Sequence, residues 1–167
     1  MTPARAIRIG GIAAAGVFAA DQASKYWILY GLDLPSLRQV EVLPVLNFTM
    51  VWNQGVTFGL LNGLGTWSHF ILAGFALAVV AGLCVWLRRA ETTLAAISIG
   101  GIAGGAVGNV LDRLRYGAVV DFIHAHLGEW SWYVFNVADA AIVCGVAALV
   151  LESQFRRQPD PVVKSGV

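Results

Sequence analysis

Charged residues are scarce in this chain: only 13% of its 167 residues carry a charged side chain, whereas 57% are hydrophobic. The net charge is +1, so no basic field indicates a nucleic acid partner. A mean hydropathy of +0.69 lies above the range of soluble domains and indicates an integral membrane protein. Because a charge in or beside lipid is costly, the few carboxylates that remain are the most informative residues of the sequence.

Cysteine and histidine are also rare, and their positions predict no metal site. Cys84 and Cys144 each lie inside an apolar run without a metal-ligand spacing, so we interpret both as packing residues. His124 and His126 are separated by one residue, but no further His or Cys lies near them in the sequence. We therefore expect neither a metal nor another cofactor.

Four apolar segments, each near the ~20 residues that a helix needs to cross a bilayer, predict four transmembrane helices. The predicted spans cover about residues 6–29, 67–87, 92–111 and 132–151. The connections on the outer side then cover about residues 30–66 and 112–131. We expect one mainly α membrane domain over residues 1–153, followed by a cytoplasmic tail over residues 154–167.

The basic residues favour one orientation, with both termini in the cytoplasm. Arg5 and Arg8 precede the first segment, and Arg88 and Arg89 separate the second from the third. Further basic residues follow the fourth segment: Arg156, Arg157 and Lys164. An alternative treats the first segment as a cleaved signal peptide, but its apolar and aromatic run continues past the small residues where cleavage would fall. We therefore interpret it as a span.

The first outer connection predicts two elements outside the membrane. Val40 to Trp52 carries β-branched and aromatic side chains near alternation, interrupted by Pro44, which predicts a hairpin or a small β-sheet. Val56 to Trp67 combines glycines with large apolar side chains and predicts a short interfacial helix.

Polar side chains near the outer ends of the segments have spacings that put them on shared helix faces. The pairs three or four residues apart are Asp21 with Lys25, Asn109 with Asp112 and with Arg113, and Asn136 with Asp139. Asp121 falls in the short loop before the fourth segment, and Asp139 is expected ~10 Å inside that segment. All of them belong to one layer near the outer surface and could converge.

Glycines four residues apart in the third segment predict close packing of this helix against a neighbour. They form two series: Gly100, Gly104 and Gly108, and Gly101 with Gly105. Packing of this kind would bring the face that carries Asn109 and Arg113 against another helix.

Several of these polar residues also have a purely structural explanation. Asp21 with Lys25 fits a salt bridge at a helix end, Asp112 fits a solvated helix terminus, and Asn53 before Gly55 fits a turn. Asp139 is harder to explain in this way, because no Lys or Arg on its own segment can reach it.

Asp121 and Asp139 together predict a specific chemistry. Two carboxyl groups in a small dry site cannot both ionise easily, so they share one proton. The ionised member can activate a water molecule while the protonated member donates its proton. This is the chemistry of aspartic peptidases.

Five motifs, in order along nearly the whole chain, resemble those of bacterial lipoprotein signal peptidase, also called signal peptidase II. They are Asp21–Lys25, Asn53–Gly59, Gly104–Arg113, Val119–Phe122 and Phe135–Asp139. The resemblance implies that Asp121 and Asp139 are the catalytic pair. It also implies a set of supporting or substrate-binding residues: Asp21, Lys25, Asn53, Gly55, Gly108, Asn109, Asp112, Arg113 and Asn136. Thr57 departs from the family, whose members more often carry alanine or serine there.

The resemblance implies an enzyme that cuts diacylglyceryl-modified prolipoproteins just before the lipidated cysteine. It implies a multi-pass protein of the bacterial inner membrane, with its site near the outer face. The expected partners are the lipidated precursors and membrane lipids, and we expect a monomer. Two alternatives remain open at this point: a proton-coupled carrier, since intramembrane aspartates also mark ion paths, and a scaffold that binds lipoproteins without cutting them.

Overall fold

The computed structural model describes residues 1–55 and 67–156 of the chain. Its elements, in order, are α1 (Pro3–Tyr26), a π-helical turn (Trp27–Gly31), α2 (Leu34–Leu37), β1 (Gln39–Leu43), β2 (Leu46–Asn53), α3 (Ser68–Leu87), α4 (Thr93–Tyr116), β3 (Val119–Leu127), β4 (Trp130–Ser131) and α5 (Val137–Arg156). The predicted interfacial helix falls on residues 56–67, so all of it except Trp67 lies outside the described residues, as does most of the predicted tail.

Helix α4 is the centre of the helical part, and α1, α3 and α5 all pack against it. In the described part of the chain three helices are long and apolar enough to cross a membrane: α3, α4 and α5. In the most apolar stretch of each helix, 67% of the residues are buried in α4, but only 6% in α3 and 11% in α5. Helices α3 and α5 therefore turn most of their surface towards lipid, while α4 is enclosed by protein.

Glycine permits the close contact between α1 and α4, as the four-residue spacing predicts. A Cβ atom added at Gly100 would collide with the backbone of Gly10, and one added at Gly104 would collide with the carbonyl oxygen of Ala14. On the opposite side of α4, a Cβ at Gly105 would lie 2.8 Å from the carbonyl oxygen of Ala138 in α5. The two helices thus touch α4 backbone to backbone.

Gly104→Ala is expected to destabilise the protein by about 1–3 kcal/mol, because neither backbone can move away freely. The matched control is Gly82→Ala in α3, where an added Cβ meets no atom within 4 Å. Alanine at that helical position is expected to be neutral or stabilising by up to about 1 kcal/mol. The thermal unfolding midpoint of both variants in one detergent measures the difference. Equal midpoints would contradict the close contact.

The predicted hairpin is confirmed, and it is part of a larger sheet. Strands β1 to β4 are antiparallel and lie in the order of the sequence. Val40, Phe48 and Ile123 stand opposite one another on one face of the sheet. That apolar face packs on a cluster formed by the turn after α1 and by α2, including Ile28 and Leu34. The sheet is thereby fixed to the end of the bundle at which α1 and α4 terminate.

Helix α4 continues to Tyr116, past the predicted end of the third span at residue 111. The helix ends where Gly117 adopts a left-handed conformation with φ +71° and donates its N–H to the carbonyl of Arg113. Asp112 and Arg113 therefore lie within a helix rather than in the outer connection.

At the start of the fourth span, the predicted first helical residue and the predicted depth of Asp139 are both wrong. Trp132 to Phe135 is extended, because this segment hydrogen-bonds to β3 through Ala125 and Ile123, so α5 begins only at Val137. Asp139 consequently lies in the first turn of α5 and not ~10 Å inside a helix. Asp121 lies in β3 rather than in a loop.

Candidate active site

The polar residues predicted from the sequence converge at one end of the bundle. They come from the last turns of α1 and α4, the end of β2, the first half of β3 and the start of α5. Most are buried, although each belongs to a residue type that usually prefers water, whereas Arg113 and Asp139 are half-buried and Asn53 is exposed. Such an arrangement is stable only when every partner is supplied by the protein.

Asp139 belongs to a reciprocal cap at the start of α5. The side-chain oxygen of Asn136 accepts the backbone N–H of Asp139 at 2.9 Å, and the carboxylate of Asp139 accepts the backbone N–H of Asn136 at 3.2 Å. This is the capping-box arrangement, with Asn and Asp in place of the more usual residues. The helix N-terminus also favours negative charge at this position. The second carboxylate oxygen of Asp139 accepts Nδ2 of Asn109 at 2.8 Å.

Asp121 is 1% exposed and is held by two amides. Its oxygens accept Nδ2 of Asn136 at 2.7 Å and Nδ2 of Asn53 at 2.9 Å. Burial, and to a lesser degree the negative charge of Asp139, raises the pKa of the Asp121 carboxyl to about 6, against the lowering effect of both amides. Asn136 thus links the two aspartates: its side chain donates to the carboxyl of Asp121, and its backbone N–H donates to the carboxylate of Asp139.

Asn109 is oriented by its neighbours. Its side-chain oxygen accepts Nζ of Lys25 at 3.0 Å and Nδ2 of Asn136 at 3.1 Å. Because that end of the amide is occupied by donors, its NH₂ group must point to the carboxylate of Asp139. Lys25 therefore acts on Asp139 through the orientation of one amide.

Lys25 is the cation of a buried ion cluster. Its Nζ lies 2.9 Å from Asp21 and 2.6 Å from Asp112, and all three side chains are at most 3% exposed. Gln22 also donates to both carboxylates, at 3.1 Å and 3.2 Å. Gly108 is next to this cluster, and a Cβ there would collide with the carboxylate of Asp21.

Both carboxylates of the cluster also accept backbone N–H groups beside the predicted catalytic pair. Asp21 accepts the N–H of Ala138 at 3.0 Å, directly before Asp139. Asp112 accepts the N–H of Val120 at 3.2 Å, directly before Asp121. One lysine and two carboxylates therefore fix the backbone position of both residues.

Arg113 lies beside this network with unused donors. One guanidinium nitrogen donates to the carbonyl of Asn109 at 3.2 Å, whereas the buried Nε has no hydrogen-bond partner within the described residues. A Cβ at Gly55 would lie 3.6 Å from Nη2 of Arg113, so the loop after β2 passes close to the guanidinium. The charges of Asp139 and Asp121 both act on Arg113. A buried donor without a partner next to two carboxyl groups can bind a ligand carbonyl.

Asn53 fills both of the roles that its sequence context predicts. Its side-chain oxygen accepts the N–H of Gly55 at 2.8 Å, which forms a turn, while its NH₂ group holds Asp121. Gly55 has φ +72°, a conformation that favours glycine. Next to it opens a cleft of about 460 Å³, which reaches Asp121 and is lined on the far side by Tyr133 and Val134.

Other predicted features take no part in this site. His124 bonds Thr49 and Ser131 within the sheet, at 3.3 Å and 2.6 Å. Within residues 1–55 and 67–156, no group of three or more His, Cys, Asp or Glu side chains could hold a metal ion. Cys84 and Cys144 are free thiols on exposed faces of α3 and α5.

The sequence did not indicate three contributors to the site: Gln22 and the backbone N–H groups of Ala138 and Val120. Gln22 follows Asp21 within the first motif, and the one sign of its role in the sequence was a polar side chain inside a predicted span. The contacts of Ala138 and Val120 use backbone N–H groups, which every residue except proline carries, so no sequence signal could have indicated them.

The helices and this buried polar end define the class of protein: a helical membrane protein with a carboxylate-rich site at one end of its bundle. The family described as signal peptidase (SPase) II matches residues 13–155. The chain therefore belongs to the signal peptidase II family.

Relatives and solved structures agree with this assignment. The chain is 52% identical to a lipoprotein signal peptidase of Methylorubrum extorquens over 148 residues, which cover 89% of this chain and 86% of the relative. It is 43% identical to one from Rhodopseudomonas palustris, over 92% of this chain and 94% of the relative. Two solved bacterial membrane enzyme structures, both 25% identical, give TM-scores of 0.75 and 0.77 and cover 93% and 91% of this chain, or 95% and 96% of their own. Membership in a peptidase family favours an enzyme over a carrier or a scaffold.

Proposed function

We propose that this chain is an aspartic endopeptidase of the bacterial inner membrane that removes the signal peptide from diacylglyceryl-modified prolipoproteins. It cleaves the bond just before the lipidated cysteine. The observation that carries the proposal is that Asn136 hydrogen-bonds both carboxyl groups, that of Asp121 in β3 through its side chain and that of Asp139 at the start of α5 through its backbone N–H. The relatives named above are lipoprotein signal peptidases, which supports this substrate class.

The two carboxyl groups take different roles. The helix N-terminus and two N–H donors stabilise the negative charge of Asp139, which makes it the general base. Burial raises the pKa of Asp121 to about 6, and this shift towards the protonated form suits Asp121 to the role of general acid. Asp139 takes a proton from water as the water oxygen attacks the scissile carbonyl, and Asp121 gives its proton to the carbonyl oxygen. When the tetrahedral gem-diol intermediate collapses, the C–N bond breaks, the proton held by Asp139 passes to the leaving nitrogen, and one hydroxyl of the intermediate returns a proton to Asp121.

The supporting residues position the substrate and the pair. The Nε of Arg113, which has no partner among the described residues, binds a substrate carbonyl, and Asn53 holds Asp121 at the mouth of the cleft. Asn109 and Asn136 orient the carboxyl groups, while Asp21, Lys25 and Asp112 fix the backbone. Gly55 and Gly108 have no Cβ, which allows neighbouring side chains to approach the backbone closely at those two positions.

We place both termini in the cytoplasm and the site near the outer face, with α1 as a fourth span. Helix α1 has 24 residues, which corresponds to roughly 36 Å. Arg5 and Arg8 lie at its start, whereas Asp21 and Lys25 are buried against α4 and do not face lipid. Its charged residues are therefore compatible with a membrane position. The chain works as a monomer.

The decisive experiment is a gel-shift assay with the purified full chain and a diacylated prolipoprotein. The expected result is a loss of mass that corresponds to the signal peptide. The control is the same precursor without its lipid, which should be cut far more slowly. Stable binding of the lipidated precursor without cleavage would support the scaffold alternative, and equal cleavage of both precursors would contradict recognition of the lipid.

The raised pKa of Asp121 predicts a pH dependence of stability. The pKa of Asp121 is about 6 in the folded state, whereas its ordinary value is 3.8. Between these two pH values the folded state therefore binds more protons than the unfolded state. The free energy of unfolding should therefore fall as pH rises from about 4 to about 6, by at most about 3 kcal/mol. Thermal midpoints over this range should fall less steeply in Asp121→Asn. Identical slopes would contradict the buried, protonated state.

A further inference from the structure

A second cleft lies at the same end of the bundle, outside the network that holds the catalytic pair. It has a volume of about 520 Å³ and is lined by Tyr26, Tyr30, Arg115 and Tyr116. Tyr26 ends α1, Tyr30 belongs to the π-helical turn, and the other two residues end α4. The mechanism uses none of them.

The packing of α1 on α4 explains why these four residues meet. The helices run in the same direction, since Gly10 lies beside Gly100, Ala14 beside Gly104 and Asp21 beside Gly108. Their C-terminal ends therefore lie at the same level.

The aromatic rings of this cleft are in contact with one another and with the sheet. The rings of Tyr26 and Tyr30 are 5.0 Å apart, and Tyr116 packs edge-on against Trp52 at 5.6 Å. The hydroxyl of Tyr30 is close enough to that of Tyr116 to interact. Rings of this kind gather at the level of lipid headgroups, where one side is apolar and the other is wet.

Among the described residues that line the cleft, Arg115 supplies the only formal charge. It is exposed, and within the part of the chain that the structure describes it forms no ion pair. Arg113 is two positions earlier, so on a helix its side chain points to a different side, where it joins the catalytic network. The cleft thus offers a planar guanidinium and three phenol groups, and none of its lining residues within 1–55 and 67–156 is a carboxylate that would compete for them.

These donors match a phosphate group. A guanidinium binds two phosphate oxygens at once, and tyrosine hydroxyls can donate to the others. A cation at the C-terminal end of α4 also stabilises the helix dipole, which by itself explains an arginine there. The dipole does not account for three tyrosines around that arginine, two of them from a different part of the chain.

We propose that this cleft binds the phosphate of a membrane phospholipid, so that one lipid molecule is held beside the end of α1 and α4. Basic pockets between membrane helices are typical sites for lipid headgroups. The lipid would occupy a place separate from the substrate, and its binding is independent of the cleavage chemistry.

The test uses the full chain in phosphate-free detergent micelles and counts bound lipid by native mass spectrometry. Three probes are titrated: a short-chain phosphatidylglycerol, a diacylglycerol with the same chains, and inorganic phosphate. Arg115→Gln is expected to weaken phosphatidylglycerol binding by roughly tenfold or more, since it removes a charged hydrogen-bonding partner. Tyr26→Phe with Tyr30→Phe should weaken it less, and Arg115→Lys should lie in between.

Arg38→Gln is the matched control, because Arg38 is also exposed and lies at the start of the sheet on the same end of the protein. It should bind phosphatidylglycerol as the wild type does. All variants should cleave precursor normally in phospholipid-free detergent, which separates this proposal from the proposed function. Wild-type lipid affinity in Arg115→Gln, equal binding of the diacylglycerol, or equal binding of inorganic phosphate would each overturn the proposal.

Discussion

Replacing either Asp121 or Asp139 with asparagine is expected to lower the rate of precursor cleavage by roughly 1,000-fold or more, because each change removes an acid or a base from the transition state. Asparagine keeps the size of the side chain but can neither hold the proton that Asp121 carries nor take one from water. The gel-shift assay on diacylated precursor measures the loss.

Folding and membrane insertion should survive both substitutions. Each carboxyl accepts two N–H groups, and an asparagine oxygen can still accept one of them. The variants should therefore insert normally and bind precursor, with a modest decrease in thermal midpoint.

Asp33→Asn is the matched control, because Asp33 is an exposed aspartate beyond α1 without a side-chain cap bond. It should cleave at the wild-type rate. Near-normal turnover in either Asp121→Asn or Asp139→Asn would contradict the assignment of the pair. A loss of rate with a loss of folding would instead assign the residue to stability.

The sequence predicted the content of the site better than its geometry. Helical spacing correctly put Asn136 with Asp139 and Asn109 with Arg113, because i, i+3 and i, i+4 neighbours share a face in any helix. It could not predict that Asn136 hydrogen-bonds both carboxyl groups, since its contact with Asp121 depends on the pairing of β3 with the segment before α5.

The errors in the predicted spans have one physical cause. Hydropathy detects apolar residues, whereas helix ends are set by backbone groups that need partners. Trp132 to Phe135 is apolar enough for a span, but its backbone bonds to β3, so the helix begins only after Asn136 can cap it. At the other boundary, α4 continues past its apolar stretch because Asp112 is paired inside the protein.

The largest effect on stability is expected at Lys25. Lys25→Met removes the cation but leaves the carboxylates of Asp21 and Asp112 buried without it, which costs about 3–5 kcal/mol. Activity should fall as well, since the same change frees the amide of Asn109 and loosens the backbone next to Asp121 and Asp139. The thermal midpoint in detergent and the yield of folded protein measure the first effect.

A compensating variant distinguishes charge from shape. Lys25→Met combined with Asp21→Asn and Asp112→Asn leaves no buried charge in the cluster. This triple variant should recover much of the lost stability, because replacing a whole buried ion group with neutral side chains costs far less than removing one of its members. Arg5→Met, at the exposed start of the same helix, should change the midpoint by no more than about 0.5 kcal/mol. If Lys25→Met were as stable as Arg5→Met, the ion cluster would not be what holds α1, α4 and α5 together. The backbone contacts of Asp21 and Asp112 would then have to hold these helices together without the lysine.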